Sequence, residues 1–182
     1  MPRNVEIKAR LADPETTRRL VAEVADGPPV PLEQTDTFFR VAAGRLKLRE
    51  HGAGRAELIF YRRPDTPDPA ESHFQVVPVA DAAALREVLA SALGVAGVVR
   101  KRRLLYRIGR TRVHLDEVHG LGPFLELEVE MAPGETAEAG AREAERLMGR
   151  LGIPADALVA EAYVDLMGRE GARGNAGEEV RR

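Results

Sequence analysis

Five stretches of this chain alternate apolar and polar residues with a period of two, and several of their polar faces are sorted by charge sign. Asn4, Glu6, Lys8 and Arg10 stand opposite Val5, Ile7, Ala9 and Leu11. Arg45, Lys47 and Arg49 give a second strand a wholly basic face, and the strand at 98–107 carries Lys101, Arg103 and Arg107 on one face. Arg110, Arg112, His114 and Asp116 share one face of the next strand. Glu126, Glu128 and Glu130 then alternate with Leu125, Leu127, Val129 and Met131. Surface strands ordinarily intersperse signs so that neighbours pair. Sorting by sign points instead to a sheet closed into a barrel, with the charged faces inward.

The remaining elements fit that architecture. Residues 34–41, 56–62 and 72–79 read as strands, which makes eight in all, many joined by short turns. Asp13-Pro14-Glu15 caps a helix running to about Ala25, and Asp81 caps another that Gly94 ends. Two short helices are expected at 136–150 and 154–167, the second presenting Leu158, Val159, Ala162, Tyr163 and Leu166 to the core. The fold class is therefore α+β: eight strands in an antiparallel β-barrel with helices packed outside. One domain spans 1–167, and 168–182, with four glycines and seven charges, reads as a disordered tail.

Burying so many like charges is prohibitive unless something compensates them. A polyanion such as a triphosphate would compensate the cations. A hard divalent cation, Mg2+ or Mn2+, would compensate clustered carboxylates. Together they describe metal-assisted phosphoryl chemistry.

Composition narrows the field further. The 27 basic and 29 acidic residues leave a net charge of −2, so a nucleic-acid partner is not expected. Zero cysteine excludes a disulfide framework, a thiolate metal site and a catalytic thiol. No apolar run is long enough to span a bilayer, and the N-terminus lacks a signal peptide's apolar core, which predicts a cytoplasmic protein without a membrane partner. Only three of the cations are lysine: Lys8, Lys47 and Lys101. Where arginine is the default, such lysines mark positions that call for a compact ammonium.

The string Asn4-Val5-Glu6-Ile7-Lys8 resembles the E-x-E-x-K motif that opens the CYTH superfamily, named for a bacterial adenylate cyclase and thiamine triphosphatase. Four further strings match in order: Gly44 to Arg49, Lys101-Arg102-Arg103, His114 to Val118, and Leu121 to Glu128. All three lysines fall on these motifs. The resemblance implies a triphosphate-binding tunnel with a divalent metal. It implies that Lys8, Arg45, Lys47, Arg49, Lys101, Arg103 and Arg112 bind phosphate, and that Glu6, Asp116, Glu126 and Glu128 are metal ligands. Glu6, Lys8, Glu126 and Glu128 are the expected catalytic set. Asn4 departs from the motif by replacing its first glutamate, which removes one charge from the metal region. Arg62 is read as a further lumen cation although Leu58 and Phe60 beside it are apolar, and Glu130 as a rim position.

Other chemistries lack support. Gly120-Leu121-Gly122 has no following Lys-Ser/Thr and is a turn. Ser72 and Ser91 sit in no nucleophile elbow. Of the four histidines, His114 shares the face of Arg112 and Asp116 and is the one placed for a lumen role. Three functions stay open: a metal-dependent triphosphate hydrolase, an adenylate cyclase using the same tunnel, and a non-catalytic triphosphate binder. With 4% aromatic residues and no tryptophan, no adenine-stacking platform is visible. The acidic cluster would be pointless in a simple binder. Hydrolysis is the leading expectation; the particular triphosphate is not legible.

Overall fold

The computed structural model describes residues 2–169. Eight strands form a closed barrel: β1 (Arg3–Arg10), β2 (Val30–Phe39), β3 (Arg45–His51), β4 (Ala56–Arg62), β5 (Ala70–Val79), β6 (Val95–Ile108), β7 (Thr111–Val118) and β8 (Gly122–Glu130). Around the barrel their order is β1-β5-β4-β3-β2-β6-β7-β8, and β8 closes on β1. Every pairing is antiparallel. Closure removes sheet edges and turns one face of every strand inward. The period-two alternation thus acquires an inside and an outside.

The apolar faces of β1, β7 and β8 point out. Val5, Ile7, Val113, Leu125, Leu127 and Val129 are buried there under α1 (Pro14–Val24) and α3 (Ala137–Leu151), with Val21, Ala144, Leu147 and Leu151. Close approach of α3 depends on Gly140, where a Cβ would lie 2.7 Å from Val5 and 2.6 Å from Met131. Asp13 caps α1 through the Thr16 amide, and Asp81 caps α2 (Ala82–Leu93) through that of Ala84. Helix α2 covers the opposite side, over Phe39, Leu48 and Ala56.

Two elements differ from their sequence readings. Strand β2 starts at Val30 rather than 34. Over 30–33 it pairs with β6 alone, so Pro31 sits where only one ladder is formed. The expected helix at 154–167 is broken. Gly152, in the left-handed region at φ 65°, ends α3, and a 3-10 turn follows at Ala155–Ala157. The chain then runs along β1: Leu158 bridges Ala9, and the Val159 amide donates to the Lys8 carbonyl at 2.8 Å. Helix resumes only at 163–169. The helical spacing of apolar residues is real, but hydrogen bonds to β1 win over it. Of the tail expected at 168–182, residues from 170 onward lie outside the described part.

Candidate active site

The inward faces enclose a cavity of about 260 Å³. Eight cations line it (Lys8, Arg45, Lys47, Arg49, Arg63, Lys101, Arg103, Arg112), against six carboxylates (Glu6, Asp36, Glu57, Asp65, Glu126, Glu128). They gather into two charged walls, a basic one and one rich in carboxylates.

The wall of β2, β3 and β6 is basic. At its centre Asp36, 1% exposed, accepts from three cations. Arg49 approaches with Nε and a terminal nitrogen, both at 2.7 Å; Lys47 Nζ lies at 3.1 Å and Lys101 Nζ at 3.3 Å. Burial alone would raise the Asp36 carboxyl, but Arg49, Lys101 and Lys47 hold it well below the usual carboxylate range. Burial, reinforced by Arg49, brings Lys47 down to about 7, with Asp36 opposing. Lys101 is lowered for the same principal reason. Three cations therefore share one carboxylate. Arg45, nearer solvent, pairs with Asp65 and with Asp165 at 2.7 Å.

The wall of β1, β7 and β8 is acidic. Cross-strand register sets Glu6 beside Glu128 and Lys8 beside Glu126. Burial and then the Glu128 charge raise the Glu6 carboxyl to about 7, with Arg63 opposing from 3.7 Å. Glu126 and Glu128 behave oppositely. Burial works against their ionisation, yet Lys8 and Arg103 hold Glu126 well below its usual range. For Glu128, His114, Arg112 and Arg103 bring the value to about 2. The contacts are short: Arg103 to Glu126 at 2.6 Å, Arg112 to Glu128 at 2.7 Å, Lys8 to Glu126 at 3.4 Å. His114, Glu126 and Glu128 each bring one ligand atom within 4.8 Å of the others, so these three side chains could hold a metal ion.

Of the residues expected to bind phosphate or metal, all but two line this cavity. Arg62 is exposed and lies over the Phe60 ring, 5.6 Å from its centroid. On β4 the inward parity is Glu57, Ile59 and Tyr61, which continues to Arg63; Arg63 reaches the cavity in its place. Asp116 is 3% exposed, and its carboxylate is occupied by protein groups. Arg103 binds both oxygens, at 2.6 and 2.5 Å, and the Tyr163 hydroxyl donates to it at 3.0 Å. It braces Arg103 and Tyr163 rather than lining the cavity. Asn4, 3% exposed, has its amide oxygen 2.9 Å from Arg112 when the amide is oriented to satisfy both its neighbours. Glu130 pairs with Arg112 and Arg107 at the half-exposed end of β8.

Asp36, Arg63 and Tyr163 are site residues that the sequence did not single out. Tyr163 enters with the C-terminal strap: the Lys8 ammonium lies 4.1 Å from its ring centroid and that of Lys101 5.3 Å. The strap's carbonyls also accept from lumen cations, Glu161 from Lys8 at 3.0 Å and Ala160 from Arg63 at 3.1 Å. A third wall, on β4 and β5, is largely apolar, with Ile59, Tyr61, Phe74 and Val76 facing the cavity.

Comparison with known proteins agrees with this arrangement. The CYTH domain matches residues 2–163. Among solved structures, the PH1012 protein of Pyrococcus horikoshii superposes with a TM-score of 0.81 at 23% identity, covering 90% of this chain and 98% of that one. A candidate adenylate cyclase from Vibrio parahaemolyticus gives 0.70 at 20% identity, covering 91% and 97%. HpAC1 of Hippeastrum, a candidate adenylyl cyclase with a dominant triphosphatase activity, gives 0.64 at 17% identity, covering 94% and 96%. No curated protein matches the chain by sequence. Domain match, closed eight-stranded barrel and charge-lined lumen agree: the chain belongs to the CYTH family.

Proposed function

We propose that this protein is a metal-dependent triphosphatase that binds a triphosphate inside the barrel and releases orthophosphate. The observation that carries the reading is the division of one cavity into a cationic and a carboxylate wall. A linear polyanion needs the first, and hydrolysis at one end of it needs the second. Lys47, Arg49 and Lys101, sharing only Asp36, have capacity left for phosphate oxygens. Lys8, Arg103 and Arg112 connect that wall to the acids.

Glu126 and Glu128 would hold the divalent cation; their carboxylate oxygens stand close enough together, with His114, to share one ion. When bound, it supplies Lewis-acid stabilisation of charge on the reacting phosphoryl group. Glu6, poised at about 7, is the acceptor for the proton of the attacking water. The water oxygen bonds to the terminal phosphorus and the bridging P–O bond breaks. The diphosphate departs with its charge matched by lysine and arginine, and the proton stays on the Glu6 carboxylate.

Cyclase chemistry has one specific observation in its favour, the aromatic pair Tyr61 and Phe74, neighbours across β4 and β5 in the cavity wall. They could receive a nucleobase. Incubation with ATP and, separately, inorganic triphosphate decides between the readings. Hydrolysis predicts orthophosphate from inorganic triphosphate, which has no ribose. Cyclic AMP with equimolar pyrophosphate from ATP, and nothing from inorganic triphosphate, would replace the triphosphatase by a cyclase.

A further inference from the structure

We propose that His114 Nδ1 is a ligand to the divalent cation held by Glu126 and Glu128, making a mixed nitrogen–oxygen site that favours Mn2+ and Co2+ over Mg2+. This rests on the metal-dependent reading above and extends it to the donor set and the choice of ion. His114 comes from β7, and the register places it directly across from Glu126 on β8. It is 4% exposed, and its Nδ1 is buried without a hydrogen-bond partner. That nitrogen faces two carboxylates, Glu126 Oε2 at 3.7 Å and Glu128 Oε1 at 3.6 Å. Both distances are too long for a hydrogen bond. A fully buried imidazole nitrogen aimed between two carboxylate oxygens, and bonded to neither, leaves a gap that a shared cation would close.

The spacing suits one. Donors bound to a common dication at about 2.0–2.2 Å lie about 3.0–3.6 Å apart; here the cluster lies within 4.8 Å, and side-chain rotation would bring its three donors onto one ion. Two of the surrounding cations take the carboxylate oxygens that His114 does not face. Glu128 turns Oε2 to Arg112 and Oε1 to His114, while Lys8 lies nearest Glu126 Oε1. Arg103 donates to Glu126 Oε2 at 2.6 Å, so a cation at the gap would share that oxygen with it. Asn4 strengthens the case from the other side of β1–β8. The position where the motif places a carboxylate carries an amide engaged by Arg112, which leaves the region short of one anionic oxygen donor. A site so depleted, with imidazole as third donor, suits first-row transition dications better than Mg2+, which holds to oxygen.

The test uses the whole protein loaded with Mn2+. Calorimetry first measures Mn2+ and Mg2+ binding, with and without inorganic triphosphate. Pulsed electron paramagnetic resonance of the Mn2+ complex then looks for 14N coupling from a bound imidazole. The expected result is a directly coupled nitrogen in the wild type that disappears in His114→Asn, with the Mn2+/Mg2+ affinity ratio falling ~10-fold. The wild-type spectrum needs no variant, so a folding defect cannot hide the answer. Stoichiometric Mn2+ without nitrogen coupling would overturn the His114 assignment and leave the metal-dependent reading standing. Coupling that persists in His114→Asn would assign the nitrogen elsewhere and also overturn it. Failure of any divalent cation to bind under either condition would remove both.

Discussion

The basic and acidic walls of this barrel carry comparable charge but settle it differently. On the basic wall a single buried carboxylate, Asp36, stands under Lys47, Arg49 and Lys101, leaving more positive than negative charge in a dry place. On the acidic wall carboxylates and cations alternate around the barrel, so Glu126 and Glu128 each meet an arginine and only Glu6 is left under-compensated. In the function proposed above, the first wall receives the anion. The second is nearly complete in itself, and the proposed cation would lie between Glu126, Glu128 and His114. Each wall's stability therefore answers to different conditions.

The sharpest way to break the contrast is to remove Asp36. Asp36→Asn leaves three buried cations without a carboxylate, and taking one partner from a buried charge cluster costs about 3–5 kcal/mol. Chemical denaturation should show that loss, and inorganic triphosphate should raise the melting temperature of the variant more than that of the wild type. Equal shifts would mean that phosphate does not go to this wall.

Next in size are the acids. Glu126→Gln or Glu128→Gln should lower turnover at least ~100-fold, the order lost with a key electrostatic contact, while the variants remain folded. Full activity in both at limiting metal would remove the acidic wall from the chemistry.

A smaller, pH-dependent effect isolates Glu6. Its carboxyl is raised in the folded state to about 7, so the folded protein binds more protons than the unfolded one between its ordinary value and 7. Stability attributable to this group therefore falls as pH rises through that window. Glu6→Gln should melt higher than the metal-free wild type at pH 8 and no differently at pH 4. A constant offset at both values would contradict a carboxyl raised by burial and by the Glu128 charge.

Much of this was legible because alternation is a local property. The inward faces of β1, β3, β6, β7 and β8 could be read from adjacent residues, and so could their signs. Asp36 was not, since it lies in Gln-Thr-Asp-Thr with no charged neighbour at the same parity. Its importance comes from pairing with β3 and β6, which no local pattern encodes. Arg63 could have been found by counting parity from Glu57 through Tyr61 past the end of β4; Arg62 lies one residue off that face. Tyr163 was hidden for a different reason. Its spacing with Leu158, Val159 and Leu166 is helical, and the contacts of Leu158 with Ala9 and of Val159 with Lys8 are what hold the chain extended ahead of it. Charge patterns gave the walls, and register gave their partners.

The smallest of the expected changes is a control on parity. Arg62→Ala should leave triphosphate affinity unchanged, whereas Lys47→Ala should weaken it about tenfold or more, in keeping with loss of a charged hydrogen bond. Both positions are basic and only 15 residues apart in sequence, but one faces solvent and the other the cavity.

The most direct measurement of the central claim is a calorimetric titration of inorganic triphosphate into the protein, with Mn2+ present and at two salt concentrations. The two-wall account predicts one triphosphate per chain, bound through the lumen cations. Lys47→Ala and Lys101→Ala should weaken it and Arg62→Ala should not. Absence of binding heat, or a stoichiometry and affinity that none of the lumen substitutions alters, would contradict the account.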